Sequence, residues 1–207
     1  MEYIEDSKEL KYYLCGLIAS DGCLWKKKSV IEIGLQRSDE DVLEAIYEKL
    51  PVGAKLYRPK NRNITKLYIR CVPFYNWLIS VGITPHKSES LSIDFSRMPN
   101  EFFFHFFRGY IDGDGSIRKM TENHARLTVT GNEDTMNKLY DKINEICGIC
   151  GSLFAVKTQA SFQMYKLAYQ KKTSVVRLLE LMYKNATIYL QRKFKISNSI
   201  RAVLPSN

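Results

Sequence analysis

Two aspartates, Asp21 and Asp114, each close an apolar stretch and each precede a glycine: Leu14-Cys-Gly-Leu-Ile-Ala-Ser-Asp-Gly22 and Phe107-Arg-Gly-Tyr-Ile-Asp-Gly-Asp-Gly115. Gly16 and Gly109, Ile18 and Ile111, Asp21 and Asp114, and Gly22 and Gly115 all stand 93 positions apart, the mark of an internal repeat. One Asp-Gly is ordinary turn chemistry. A last-turn aspartate, however, faces the negative end of the helix dipole at a cost of a few tenths to about 1 kcal/mol, and a duplicated cost calls for a duplicated use. If the two helices pack through Gly16 and Gly109, where a missing side chain permits close approach, the carboxylates end side by side at a pseudo-twofold axis. Carboxylates that close repel one another unless a hard divalent cation lies between them, and carboxylate plus backbone carbonyl oxygens are what Mg²⁺ accepts. A cation so held can generate hydroxide and stabilise the leaving oxygen of a phosphodiester displacement.

The elements that must position these residues follow one order in each half. Apolar residues at 10, 13, 14, 17 and 18 predict a helix over 9–20 that stops at Gly22. In 30–37, Ile31, Ile33 and Leu35 alternate with Glu32, Gly34 and Gln36, which predicts a half-buried strand. Ser38 with Asp41 three residues on resembles a capping box at the start of a second helix. Strands near 54–58 and 66–72 and a helix from Pro73 complete the half. The second half is predicted as helix 101–113, strands 116–120 and 125–130, helix 133–147, strands 152–158 and 162–169, and helices 173–184 and 188–200. The Ser- and Pro-containing stretch 88–100 reads as a connector, so the expected division is 1–95 and 96–207.

Of 207 residues, 31 are Lys or Arg and 22 Asp or Glu, a net charge of +9. That charge favours a polyanionic partner, and its placement narrows the choice. The stretch 53–71 carries Lys55, Arg58, Lys60, Arg62, Lys66 and Arg70 without an acid; 151–172 carries Lys157, Lys166, Lys171 and Lys172, again without one, interleaved with Phe154, Phe162, Tyr165 and Tyr169. Period two sets Lys66, Tyr68 and Arg70 on one strand face and Leu67, Ile69 and Cys71 on the other. An antiparallel sheet can keep one face open, and a β-ribbon fits the major groove. A membrane surface would instead call for a basic amphipathic helix, which the sequence lacks.

No apolar run approaches the length of a membrane span. The acidic Met-Glu-Tyr-Ile-Glu-Asp start is unlike a signal or transit peptide. The odd count of five cysteines fits reduced thiols, and the single Cys147-x-x-Cys150 pair lacks the second pair of a zinc site. The expected setting is intracellular: cytoplasm or nucleoid for a microbial or phage chain, the matrix for an organelle-encoded one.

The two nine-residue stretches resemble the paired signature motifs of the LAGLIDADG homing endonucleases, in their single-chain, two-motif branch, and the element order extends the resemblance over nearly the whole chain. It implies an α+β fold, a pseudo-twofold tandem repeat of αββαββα, with two antiparallel sheets forming a DNA-binding saddle. It also implies a monomeric, Mg²⁺-dependent endonuclease that hydrolyses both strands of a long asymmetric double-stranded site, encoded in a mobile intron or as a free-standing reading frame. Mn²⁺ would substitute, and Ca²⁺ would support binding without cleavage. By motif position the metal ligands are Asp21 and Asp114, with the carbonyls of Ser20 and Gly113. Ala19 replaces the acid that Asp112 provides in the second motif, at a position that is not the family's ligand.

Further catalytic candidates implied by the resemblance are the basic residues Lys87 and Lys193 and the polar, solvent-positioning Gln36, with Thr130 as its counterpart. The DNA-contacting set is Lys26, Gln36, Arg37, Lys55, Tyr57, Arg58, Lys60, Arg62, Lys66, Tyr68 and Arg70 in the first half. In the second it is Arg118, Arg126, Thr128, Thr130, Lys157, Tyr165, Lys166, Tyr169 and Arg192. The alternative is a maturase acting on its own intron RNA, or a non-catalytic DNA-binding regulator on the same fold.

Overall fold

A computed structural model describes residues 3–50, 53–85, 90–157 and 162–202. After one helical turn at Tyr3–Asp6, helix α1 (Lys8–Asp21) opens on Ser7, whose side chain accepts the amide of Leu10, and closes at Gly22, whose N–H reaches the carbonyl of Ile18. Helix α4 (Asn100–Asp114) ends in the same way, with the Gly115 N–H on the carbonyl of Ile111. Both helices are buried all round over most of their length, Leu10 to Ala19 in α1 and Phe106 to Asp112 in α4, because each packs on the other and on its own sheet.

The glycines make that contact possible. A Cβ on Gly16 would lie 1.9 Å from the carbonyl oxygen of Phe106, and one on Gly109 would lie 2.1 Å from that of Tyr13. Backbone meets backbone at the crossing, as the shared 93-residue spacing predicts.

Each helix runs directly into an antiparallel sheet. The first contains β1 (Gly22–Trp25), β2 (Val30–Gln36), β3 (Lys55–Tyr57) and β4 (Ile64–Arg70) in the order β1-β2-β4-β3. The second contains β5 (Gly115–Lys119), β6 (Ala125–Gly131), β7 (Ser152–Val156) and β8 (Met164–Tyr169) in the order β5-β6-β8-β7. Helices α2 (Glu40–Glu48) and α3 (Val72–Ser80) complete the first half; α5 (Glu133–Cys147), α6 (Lys172–Tyr183) and α7 (Gln191–Arg201) complete the second. The fold is therefore α+β with a repeated αββαββα layout, to which the second half adds α7. One apolar cluster runs through both halves, from Ile4 and Leu10 to Leu179 and Ile200. Among the described residues, no helix is long and apolar enough to cross a membrane.

Four local expectations change. Strand β1 has no counterpart in the sequence reading, since four residues, Gly-Cys-Leu-Trp, are too few to establish a period. Ser38 does not cap a helix: 37–39 form a 3₁₀ turn, and α2 starts at Glu40 after an Asp39 whose side chain makes no capping bond. That carboxylate instead holds Arg192, at 3.0 and 3.1 Å. The strand expected over 152–158 ends at Val156, and the helix expected from 188 begins at Gln191.

Candidate active site at the paired helix ends

Asp21 and Asp114 are the exposed last residues of α1 and α4, after turns that are buried. A Cβ on Gly113 would stand 2.0 Å from Ser20 Oγ and 3.0 Å from Asp21 Oδ2, so the Asp21 carboxylate overhangs the residue preceding Asp114. Two helices thus converge their negative dipole ends, their last-turn carbonyls and two carboxylates on one place. Ser20 Oγ donates back to the carbonyls of Gly16 and Leu17, at 3.2 and 3.1 Å, which turns its side chain onto its own helix. Among the described residues, no group of three or more His, Cys, Asp and Glu gathers to hold a metal. A cation here would be held by two carboxylates, carbonyls and water, an all-oxygen donor set that fits Mg²⁺.

Lys193 lies beneath this place. It is 2% exposed, and its ammonium donates to the carbonyls of Ile111 and Asp112, at 2.6 and 2.8 Å, so a cation sits at the C-terminal pole of α4. Burial lowers its pKa to about 8; Asp112, Asp21 and Asp39 oppose that, while Arg192 adds to it. The Asp112 carboxylate points inward, accepting from the Tyr13 hydroxyl at 2.8 Å and the Leu190 amide at 2.9 Å. Burial raises its pKa. Asp112 is thus a brace between α1, α4 and the start of α7, while its counterpart Ala19 is simply buried.

The Lys193 environment has a consequence for stability. The unfolded lysine holds its proton up to about pH 10.4, whereas the folded one loses it near pH 8, so between these values the unfolded state binds more protons and stability rises with pH. Wild type should gain on Lys193→Met by up to about 1.4 kcal/mol per pH unit across that window. Urea denaturation of both proteins at pH 7, 8, 9 and 10 reads the difference; parallel curves would contradict it.

Lys87 lies outside the described residues. Gln36 is exposed at the end of β2, but strand pairing gives it a different counterpart from Thr130. Thr130 faces Lys166 as Gly34 faces Lys66, so Thr130 matches Gly34 and Gln36 matches Asn132. The register moves because the second β-hairpin loop is longer than the first. Asn132 is committed to structure: it is buried, accepts the Thr135 amide at 2.9 Å as the cap of α5, and donates to the Leu91 carbonyl at 2.8 Å.

The open face of the first sheet carries Lys55, Tyr57, Lys66, Tyr68 and Arg70, with Lys26, Lys60 and Arg62 exposed in its loops. Glu32 shares this face, pairing with Lys66 and accepting from the Trp25 indole at 3.0 Å. On the second sheet, Arg118, Arg126, Thr128, Thr130 and Lys166 line a single concavity that begins at Asp114, and Lys157 is exposed just past β7.

Several expected DNA contacts point elsewhere. Arg58 is held by Glu40, at 2.8 Å, and by Glu44, both on α2. Arg37 donates to the carbonyls of Pro59 and Ile64, at 3.1 and 3.4 Å, bracing the loop between β3 and β4. Tyr169 is buried and Tyr165 bonds Glu133 of α5, so both lie on the helix-covered face. Arg192 is engaged by Asp39 across the two halves. Period two separates Tyr165 and Tyr169 from Lys166, and that parity in the sequence would have excluded both. Trp25, 53% exposed on the open face, is not legible in the sequence, because the four residues of β1 are too few to show a period.

No family model and no curated protein matches the chain. Solved structures do. The LAGLIDADG meganuclease I-AabMI bound to uncleaved DNA is 13% identical, with 93% of this chain and 90% of that one covered and a TM-score of 0.59. Full-length DUF199/WhiA from Thermatoga maritima is 15% identical, with 100% of this chain and 66% of that one covered and a TM-score of 0.60. Mesophilic variants from the homing endonuclease I-DmoI are 13% identical, with 92% and 98% covered and a TM-score of 0.62. Together with the doubled motif helix and the two four-stranded sheets, these likenesses establish that the chain has the LAGLIDADG fold.

Proposed function

We propose that the protein is a site-specific endonuclease for double-stranded DNA that depends on Mg²⁺. One observation carries this reading: the exposed Asp21 and Asp114, ending two helices joined backbone to backbone, stand between two sheets whose open faces are rich in cations. Solved neighbours bound to DNA support the partner.

Asp21 and Asp114, with the carbonyls of Ser20 and Gly113, would hold the cation, which when bound lowers the pKa of water and polarises a phosphoryl oxygen. The chain's own groups do the rest. The cations of the open faces bind the phosphate backbone and fix its register. Lys193 keeps positive charge beneath the carboxylates, and Gln36, exposed at the end of β2, would orient a solvent molecule. The Asp112 brace keeps α7, and with it Lys193, against the end of α4.

Incubation with a randomised duplex library and Mg²⁺, followed by sequencing of broken ends, tests the reading; a library left intact under conditions that permit binding would overturn it in favour of a non-catalytic binder. Affinity for duplex should also fall steeply with salt. With roughly six phosphate contacts the log–log slope is about −5, a loss on the order of 10³-fold between 50 and 200 mM. A slope near zero in a filter-binding titration would contradict the role given to the sheets. Competition by RNA at equal affinity would favour an RNA partner instead.

A further inference from the structure

The two open faces differ at positions that strand pairing makes equivalent. Trp25 faces Val30 across the first hairpin, where Arg118 faces Arg126 across the second. Glu32 stands opposite Cys23 where Thr128 stands opposite Ser116. The first sheet therefore places an indole, a valine and an acid where the second places two arginines and a threonine.

Like charges directly opposite on one sheet face destabilise it, so the arginine pair carries a cost that the packing does not explain. Among the described residues neither arginine makes an ion pair. Each is steadied by a neutral acceptor instead: Arg118 Nε donates to Ser116 Oγ at 3.3 Å, and an Arg126 terminal nitrogen donates to Gln170 Oε1 at 3.2 Å. Holding the exposed Arg118 by its Nε leaves its two terminal nitrogens, a planar fork, for other acceptors. Such a fork matches the O6 and N7 acceptors that guanine presents in the major groove, and a point-charge lysine does not reproduce it. Facing side chains on a sheet are rooted about 5 Å apart and successive bases rise about 3.4 Å, so two forks can reach neighbouring base pairs.

We infer that Arg118 and Arg126 read neighbouring guanines in the half-site bound by the second sheet. The first sheet, with Trp25 and Val30 at the matching positions, makes no such demand there and instead favours contact with a thymine methyl. The target is then asymmetric in a stated sense. At about 3.3 Å per residue, Arg118 stands roughly 13 Å along β5 from Asp114, so the guanines lie outside the place where the strands are cut. The inference rests on the DNA-binding reading above.

The test is selection of bound duplexes from a randomised library in Ca²⁺, with sequencing of the bound pool for wild type, Arg126→Lys, Arg118→Lys and Trp25→Ala. Wild type should enrich a guanine pair on one side of the site only, by about tenfold per position. Each arginine-to-lysine variant keeps the charge and should lose that preference while its total affinity falls less than about threefold. Trp25→Ala should leave the guanine pair intact. Melting curves should show that these exposed substitutions leave the fold in place. Guanine frequencies at background on both sides, or a wild-type profile retained by Arg126→Lys and Arg118→Lys, would overturn the inference while leaving DNA binding standing. Absence of binding to any duplex would instead overturn the DNA reading itself, and this inference with it.

Discussion

Replacing Asp21 or Asp114 with asparagine is expected to lower the cleavage rate by about 10³-fold or more, with duplex affinity in Ca²⁺ little changed. A cation stabilises developing charge in the transition state by several kcal/mol, and each 1.36 kcal/mol is tenfold in rate. Asparagine keeps the size of the side chain but withdraws the negative charge that attracts a hard cation. The same substitutions should leave the fold intact or strengthen it. Each carboxylate lies at the negative pole of its own helix, so neutralising it relieves an unfavourable dipole contact, by a few tenths to about 1 kcal/mol. That opposite movement of activity and stability separates an acid kept for chemistry from one kept for structure. Asp112 supplies the contrast within the same motif: buried and bonded to Tyr13 and Leu190, it should lose stability on conversion to alanine. Cleavage by Asp21→Asn and Asp114→Asn within tenfold of wild type would remove both residues from the mechanism.

Much of this arrangement is legible in the sequence because it rests on local periods and on a repeat. The 93-residue spacing identifies the paired helices, and alternation in 30–37 and 66–72 assigns their faces correctly. What escapes is set by partners distant in the chain. Arg58, just past β3 and in phase with the inward Leu56 rather than with Lys55 and Tyr57, is taken by Glu40 and Glu44 on α2. Arg192 looks like a free cation on a basic helix until Asp39, 153 positions away, takes it. Lys193 is singled out by the resemblance as a catalytic candidate, but its own segment does not reveal its burial, because the carbonyls it serves belong to Ile111 and Asp112 of another helix. The match of Gln36 to Thr130 fails for a simpler reason: constant spacing holds through the motif helices and is broken by the longer second hairpin.

The largest effect on stability is expected at the helix crossing. Gly109→Ala adds one methyl group, and that methyl would lie 2.1 Å from the carbonyl oxygen of Tyr13, 2.9 Å from the amide of Leu17 and 3.0 Å from the carbonyl carbon of Tyr13. All three are backbone atoms of α1, so no rotamer change relieves the clash, and the two helices must move apart along their whole contact. Overpacking costs about 1 to 3 kcal/mol where side chains can yield; here they cannot, and a loss of about 3 to 5 kcal/mol is expected, in the range reserved for severe core damage. For a chain of this size that corresponds to a fall of roughly 10 °C or more in Tm. Gly16→Ala, at 1.9 Å from the Phe106 oxygen, should do the same. Gly34→Ala serves as the control, since its nearest neighbour is a flexible Lys66 carbon at 3.8 Å, and it should change Tm by only a degree or two. A Gly109→Ala protein within about 1 kcal/mol of wild type would mean that α1 and α4 do not meet through their backbones. Whatever fraction of Gly109→Ala remains folded should also cleave worse than its folded population predicts, because separating the helices draws Asp21 away from Gly113 and so disturbs the two carboxylates that would hold a cation.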